Sequence, residues 1–391
     1  MPIASKRYHS AMIGAPTLSG TNGALIDVLD ACLVNGFNSQ SVSGATQSGG
    51  VATVTTSSAH NYAPLDVVAI SGANEAVWND EFRVLTASAN SFTCAINASA
   101  PAATGTLTAK IAPLGWSRPF AGTHKAAYLP QAPYVQCYLR VQDDSAPPTS
   151  ASGRWAKWRG YEALTDVDTG TGLFPTTGQS ANGLSCHKSN ASSADARAWW
   201  LAGDGGIFYF GTFWHASYSP HASGYAFGDI NSLKAGDGYS SLILADPTDA
   251  LYSYPGNNNF QSLGLAYTNT QPGRYLARTY SQFGGSVACG WMGDAGVSAY
   301  LGCVSSGQGL AYPHPPDNGL LFAPVAVVES SILRSRALPG LYQPLHVTPL
   351  AHLGLLTSVP DFPERTFQAF DLAYSNSNRA QCLIDTTGPW R

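Results

Sequence analysis

Six tryptophans, Trp155, Trp158, Trp199, Trp200, Trp214 and Trp291, share one stretch of the chain with Glu162, Asp166, Asp168, Asp204, Asp229 and Asp237. Exposed aromatic faces can stack on sugar rings, and two carboxylates about 5 to 10 Å apart can cleave a glycosidic bond. Sequence cannot place these acids against one another. Each aromatic buries roughly 150–250 Å², so core and subunit contacts claim most tryptophans first. Trp155, Trp158, Trp199, Trp200 and Trp214 stand as the candidate interface or glycan-contact residues.

Other chemistries find no framework. A serine hydrolase needs Gly-x-Ser-x-Gly on a strand-turn-helix elbow. Gly178-Gln179-Ser180-Ala181-Asn182-Gly183 is one residue too long and reads as a loop. Cys186 and His187 are adjacent, so on a strand their side chains diverge, whereas an activated thiol needs its imidazole close. His215 and His221 have no second close ligand pair, and no His-Glu-x-x-His motif occurs. Asp166 and Asp168 precede Gly170, but no Glu follows at the distance a calcium loop requires. Nothing fits Gly-x-x-x-x-Gly-Lys-Ser/Thr, the phosphate-cradling loop. The expectation is a non-enzymatic chain with no catalytic residue, no cofactor and no metal.

The elements that would position any site are mostly strands. Residues 49–56, 66–72, 78–85, 91–96 and 105–109 are short runs rich in Val, Thr, Ile and Phe, bounded by Gly, Asn, Pro or Ser. Their spacing predicts a five-stranded, barrel-like module over 41–112. Before it, 1–40 holds a strand and the clearest helix, 22–35. There Leu25, Val28, Leu29, Cys32 and Leu33 make one apolar stripe. Thr21 or Asn22 can cap its start, and Gly36 sits where a left-handed C-cap would. The stripe can dock on its own chain or on a neighbour, with the former preferred. After it, 113–391 reads as a larger antiparallel β-sandwich or barrel domain, with room for two subdomains. Its best hairpin runs from Ala198 to Trp214, with Asp204-Gly205-Gly206 expected to supply the positive φ angles of a tight turn. The fold class is therefore mainly β with one short N-terminal amphipathic helix.

Composition narrows the function. The 391 residues carry only 11% charged side chains, with 40 Gly and 25 Pro. Aromatics at 11% separate the chain from a disordered one. Sparse charge protects a monomer poorly against association, so a homo-oligomer or a larger assembly is expected. The net charge of -4, without a Lys/Arg run, argues against nucleic acid as a partner. No stretch reaches about 18 apolar residues, so no membrane span is expected. Residues 1–9 lack an apolar h-region, so no signal peptide is expected. Seven scattered cysteines with no C-x-x-C pair read as reduced, mostly buried thiols of a protein made in a cytoplasm.

Two sets of segments carry a resemblance. Gly49-Gly50-Val51-Ala52-Thr53-Val54-Thr55, His60, Asp66-Val67-Val68-Ala69-Ile70-Ser71-Gly72, Trp78-Asn79 with Phe82 and Val84, and Ser91-Phe92-Thr93 together resemble a small β module of tailed-bacteriophage virion proteins. That module recurs as an insert in tail, baseplate and fibre components. Residues 25–37, 161–172, 336–346 and 384–391 resemble a family of phage and prophage virion proteins without a known catalytic motif. The resemblance implies a structural component of the virion, synthesised in the bacterial host cytoplasm, most readily in the tail or baseplate. Its implied partners are copies of itself and other virion proteins. Alternative placements are a capsid decoration or minor capsid protein, or a receptor-binding tail tip that touches a host surface glycan.

Overall fold

A computed structural model of the chain describes residues 5–144, 153–215, 223–246, 273–291, 311, 313–346, 350–357, 359–372 and 381–391. Its centre is a seven-stranded antiparallel sheet. The strand order is Lys6–His9, Ala198–Gly203, Ile207–Phe213, Ser223–Asp229, Ser241–Leu244, Arg274–Leu276 and Val287–Ala288. Alternate residues of these strands face opposite sides, and both sides are apolar. Trp199, Leu201, Phe208, Phe210, Tyr225, Phe227 and Ile243 enter one core. Trp200, Ala202, Ile207, Tyr209, Ala226, Leu242 and Leu244 enter another. A continuous run such as Ile207-Phe208-Tyr209-Phe210 is what a strand covered on both faces requires.

Two five-stranded sheets cover those faces. The first has the order Leu184–His187, Trp155–Tyr161, Tyr138–Gln142, Lys125–Leu129 and Ser117–Gly122. Its Trp158 meets Phe208 and Tyr225 of the central sheet at centroid distances of 5.9 and 5.8 Å. The second is built from Phe322–Pro324, Leu341–Pro344, Gln381–Asp385, Phe367–Asp371 and Leu355–Leu356. Its Phe370 lies 4.5 Å from the Trp200 ring. The body is thus three layers of sheet enclosing two cores.

The small module is a closed barrel of six strands, not five. The sixth is Phe37–Ser48, which pairs Gly105–Ile111 through its first half and Val51–Thr56 through its second, with a bulge between Val42 and Gly44. Its sequence, with Asn, Ser, Gln, Gly and Thr at most positions, lacks the apolar alternation of its neighbours, and only Phe37 and Ala45 are buried. Backbone closure holds it there, because a barrel must pair both edges of every strand.

The helix expected over 22–35 forms as an α-helical turn, Ala24–Leu29, running into a π-helical one, Asp30–Asn35. Leu25, Val28, Leu29, Cys32 and Leu33 are fully buried within the chain, in the core that spans body and barrel. Neither Thr21 nor Asn22 caps it; Gly23 is the N-cap, with φ of 82°. The Asp143 carboxylate, distant in sequence, instead accepts the Leu25 N–H at 2.9 Å. Gly36 has the expected positive φ, 71°, but an extended ψ of 176°. The 198–214 hairpin also forms, with a different turn. Neither Gly205 nor Gly206 has positive φ. Asp204 Oδ1 accepts the Gly206 and Ile207 N–H groups at 2.8 Å each. A Cβ at Gly206 would stand 2.6 Å from the Tyr134 ring, so the glycine serves close approach rather than turn conformation.

Candidate functional site

Among the described residues, a group of chemistry-bearing side chains lies on the outer face of the first five-stranded sheet. Strands Trp155–Tyr161 and Leu184–His187 run antiparallel with Trp155 opposite His187 and Lys157 opposite Ser185. Alternation sends Ala156, Trp158, Leu184 and Cys186 into the core. It sends Trp155, Lys157, Ser185 and His187 the other way. Lys157 Nζ donates to Ser185 Oγ at 2.8 Å. His187 Nε2 lies 3.3 Å from Asp246 Oδ2, and its ring sits between Trp155 and Trp214 at 5.5 and 5.7 Å. Cys186 and His187 therefore diverge as expected, and burial pushes the Cys186 thiol far up.

A Ser, a Lys, a His and an Asp on one face raise the question of acyl transfer. Such chemistry needs an accessible hydroxyl and free N–H donors for an oxyanion. Ser185 is 2% exposed. Its N–H donates to Asp246 O at 2.7 Å, and the His187 N–H donates to the Tyr225 hydroxyl at 2.9 Å. The next two N–H groups, of Lys188 and Ser189, both donate to Arg154 O. Donors around the hydroxyl are engaged in holding strands together. The arrangement ties the sheet edge to Asp246, at the end of a central strand, and this tie is its visible work.

Lys188 continues the pattern. It is fully buried, pairs with Asp143 and donates to Thr21 O at 2.7 Å. Burial pushes the Asp143 carboxyl up to about 6 despite that partner, and it lowers the Lys188 ammonium. This pair joins the sheet to the start of the helix. Arg334 does the same elsewhere, with Glu329 and with Asp237 at 3.2 Å.

The candidate tryptophans are scattered through the interior, none more than 8% exposed. Trp155 and Trp214 flank His187. Trp158 and Trp199 face the first core and Trp200 the second. Among the described residues the five are not gathered on one exposed face. The acids are paired too. Glu162 binds Arg278 through two bonds of 2.6 Å, and Asp168 binds Arg140 and Lys125. Asp204 and Asp229 do come together, but the Arg391 guanidinium lies between them, at 3.2 and 3.1 Å.

His215 packs edge-on against Trp214, while His221 and Cys303 lie outside the described residues. Among the described residues no three His, Cys, Asp or Glu side chains gather as metal ligands, and no helix is long and apolar enough to cross a membrane. Sequence reasoning passed over Asp143, Lys188, Arg334 and Arg391. The available signal was the rarity of charge itself, since a lone charge in a charge-poor, apolar chain needs a buried partner. A scan against protein-family models and a search of curated proteins each returned no match.

Proposed function

We propose that this chain is a non-enzymatic structural component of a tailed-phage particle, of tail or baseplate type, assembling as a symmetric homo-oligomer. The observation that carries the non-enzymatic reading is the fate of the polar side chains. The groups best suited to chemistry, Ser185, Lys157, His187 and the Asp204–Asp229 pair, are buried and tie strands or chain ends together. The virion reading rests on the family-like segments, and their places are consistent with a scaffold role. Residues 25–37 carry the helix into the barrel, 161–172 cover the outer face of the first sheet, and 384–391 return to the Asp204 turn through Arg391.

The barrel is built to be held rather than to swing. Lys6 Nζ donates to Glu81 at 2.7 Å, and Arg83 donates to the carbonyls of Ser5, Thr386 and Thr387. Rigid docking of a module suits a permanent assembly. The test is to image purified particles at side-chain resolution with an antibody-tagged or mass-labelled copy of this chain. Its density in a repeating layer of the tail or baseplate is the expected result. Absence of the chain from particles that are otherwise complete and infectious would sink the proposal.

A further inference from the structure

Four of the ten large apolar side chains exposed among the described residues, Leu233, Tyr280, Phe283 and Ile332, sit on segments tied to one ionic cluster: the Leu233 N–H donates to Arg334 O at 2.8 Å, and Ile332 is the cross-strand partner of Glu329. Phe283 is 98% exposed, at the tip of the loop between strands Arg274–Leu276 and Val287–Ala288. A flexible tip would need no explanation, but this loop is clamped. Arg278 donates to Gln282 O at 3.0 Å, and the Gln282 side chain donates to Asp237. Glu329 accepts the Tyr280 N–H at 2.9 Å, and Lys234 donates to Tyr280 O at 2.7 Å. Gln282 itself is held at φ of 71°. A non-glycine residue in that region is strained, and such strain persists only where the surroundings over-determine it. The clamps hold an apolar ring in water next to a strained residue, which folding alone does not call for.

We infer that this face is a self-association surface that binds a second copy of the same chain, with Phe283 of each copy seated on the Leu233–Tyr280–Ile332 shoulder of the other. Three features favour a second copy over another occupant. The patch holds both a projecting ring and an apolar shoulder, the self-complementary pairing an isologous two-fold contact requires. Its charges balance within the subunit: Arg278 pairs with Glu162, Arg334 with Glu329 and Asp237, and Lys234 nearby, lying 4.9 Å over the Tyr280 ring, supplies the third positive charge against those three carboxylates. Two identical faces can then meet without like-charge repulsion. The strand beside the loop, Val287–Ala288, is the last of the central sheet among the described residues, so the contact would extend the body rather than the barrel. One phenylalanine offers roughly 200 Å², well short of the ~1,200 Å² of a stable interface, so the shoulder must take part.

This contact deepens the assembly role proposed above and rests on it. It is tested by sedimentation equilibrium of the full chain alongside Phe283→Asp, Phe283→Trp and Leu233→Ser. The expected result is self-association of the natural chain, weakened at least about tenfold by Phe283→Asp and by Leu233→Ser and retained by Phe283→Trp. Circular dichroism should be unchanged, since the altered side chains lie outside the core. A natural chain that stays monomeric, or that floats with lipid vesicles as a monomer, overturns the inference. So does association that Phe283→Asp leaves untouched. If particles contain the chain but neighbouring copies meet through other faces, this contact fails while the structural role stands.

Discussion

At the residue scale, charge is rare in this protein, and several buried charges among the described residues are held in ion pairs. Arg334 is fully buried between Glu329 and Asp237 and also donates to Arg278 O at 3.1 Å. Removing one member of such a group strands the others, at a cost of roughly 3–5 kcal/mol. Arg334→Ala is therefore predicted to lower the unfolding free energy read from urea titration by that amount, and a loss under about 1 kcal/mol would contradict the assignment. His9 offers a test by pH. Burial first, and then Arg7 and His352, pull its imidazole down from 6.5 to about 4. In the unfolded chain it takes up a proton near 6.5. Between these values the folded state binds fewer protons, so its stability is full above about 6.5 and declines as pH falls toward 4. An NMR titration should place the His9 ring near the lower value, and His9→Gln should flatten that part of the stability profile. A ring titrating near 6.5 would refute the prediction.

At the element scale, the helix is the clearest case of a local pattern serving a distant purpose. Its apolar stripe was legible from period alone, while its cap was not, because Asp143 approaches from more than a hundred positions away. Leu29 is fully buried, so Leu29→Ala should cost about 2–5 kcal/mol, read as a lower unfolding midpoint. Gly36 ends the helix at positive φ, and a Cβ there would stand 2.3 Å from Ile111 O in the barrel. Gly36→Ala is predicted to destabilise more than its small size suggests, by at least about 1 kcal/mol. A neutral Gly36→Ala would show that the helix–barrel junction relaxes freely. The Asp204 turn teaches the complementary lesson. Asp-Gly-Gly signalled a tight turn correctly, but the glycines answer to Tyr134 and Gln131, which only the folded chain brings near.

At the scale of the whole molecule, the barrel and the three-layered body are coupled through a short list of groups. Tyr8 donates to Ala112 O at 2.7 Å beside the Lys6–Glu81 pair, and Arg83 reaches three carbonyls on two segments of the body. Arg83→Ala should leave the barrel folded, since its core of Val54, Ile70, Phe82 and Phe92 is untouched. It should nonetheless speed hydrogen exchange at Lys6–His9 and at Thr386–Thr387. Uniform exchange across both units would mean that the apolar junction through Leu25 and Leu33 holds the barrel unaided.

The alternation of apolar residues, the turn residues between them and the helical stripe are local signals, so the sequence by itself determined the mainly β class, the barrel module and the 198–214 hairpin. Which strands meet is decided by closure and layering, for which no local period exists. That is why Phe37–Ser48, almost without apolar residues, became a barrel strand only in three dimensions. The tryptophans could equally have lined a groove or filled a core, and the stacking of sheets on both faces of the central one put them inside. The same holds for Asp143 with Lys188 and for Arg391 with Asp204: each charge was visible in the chain, but its partner was a consequence of packing, because a buried charge is tolerated only where the fold brings its opposite alongside.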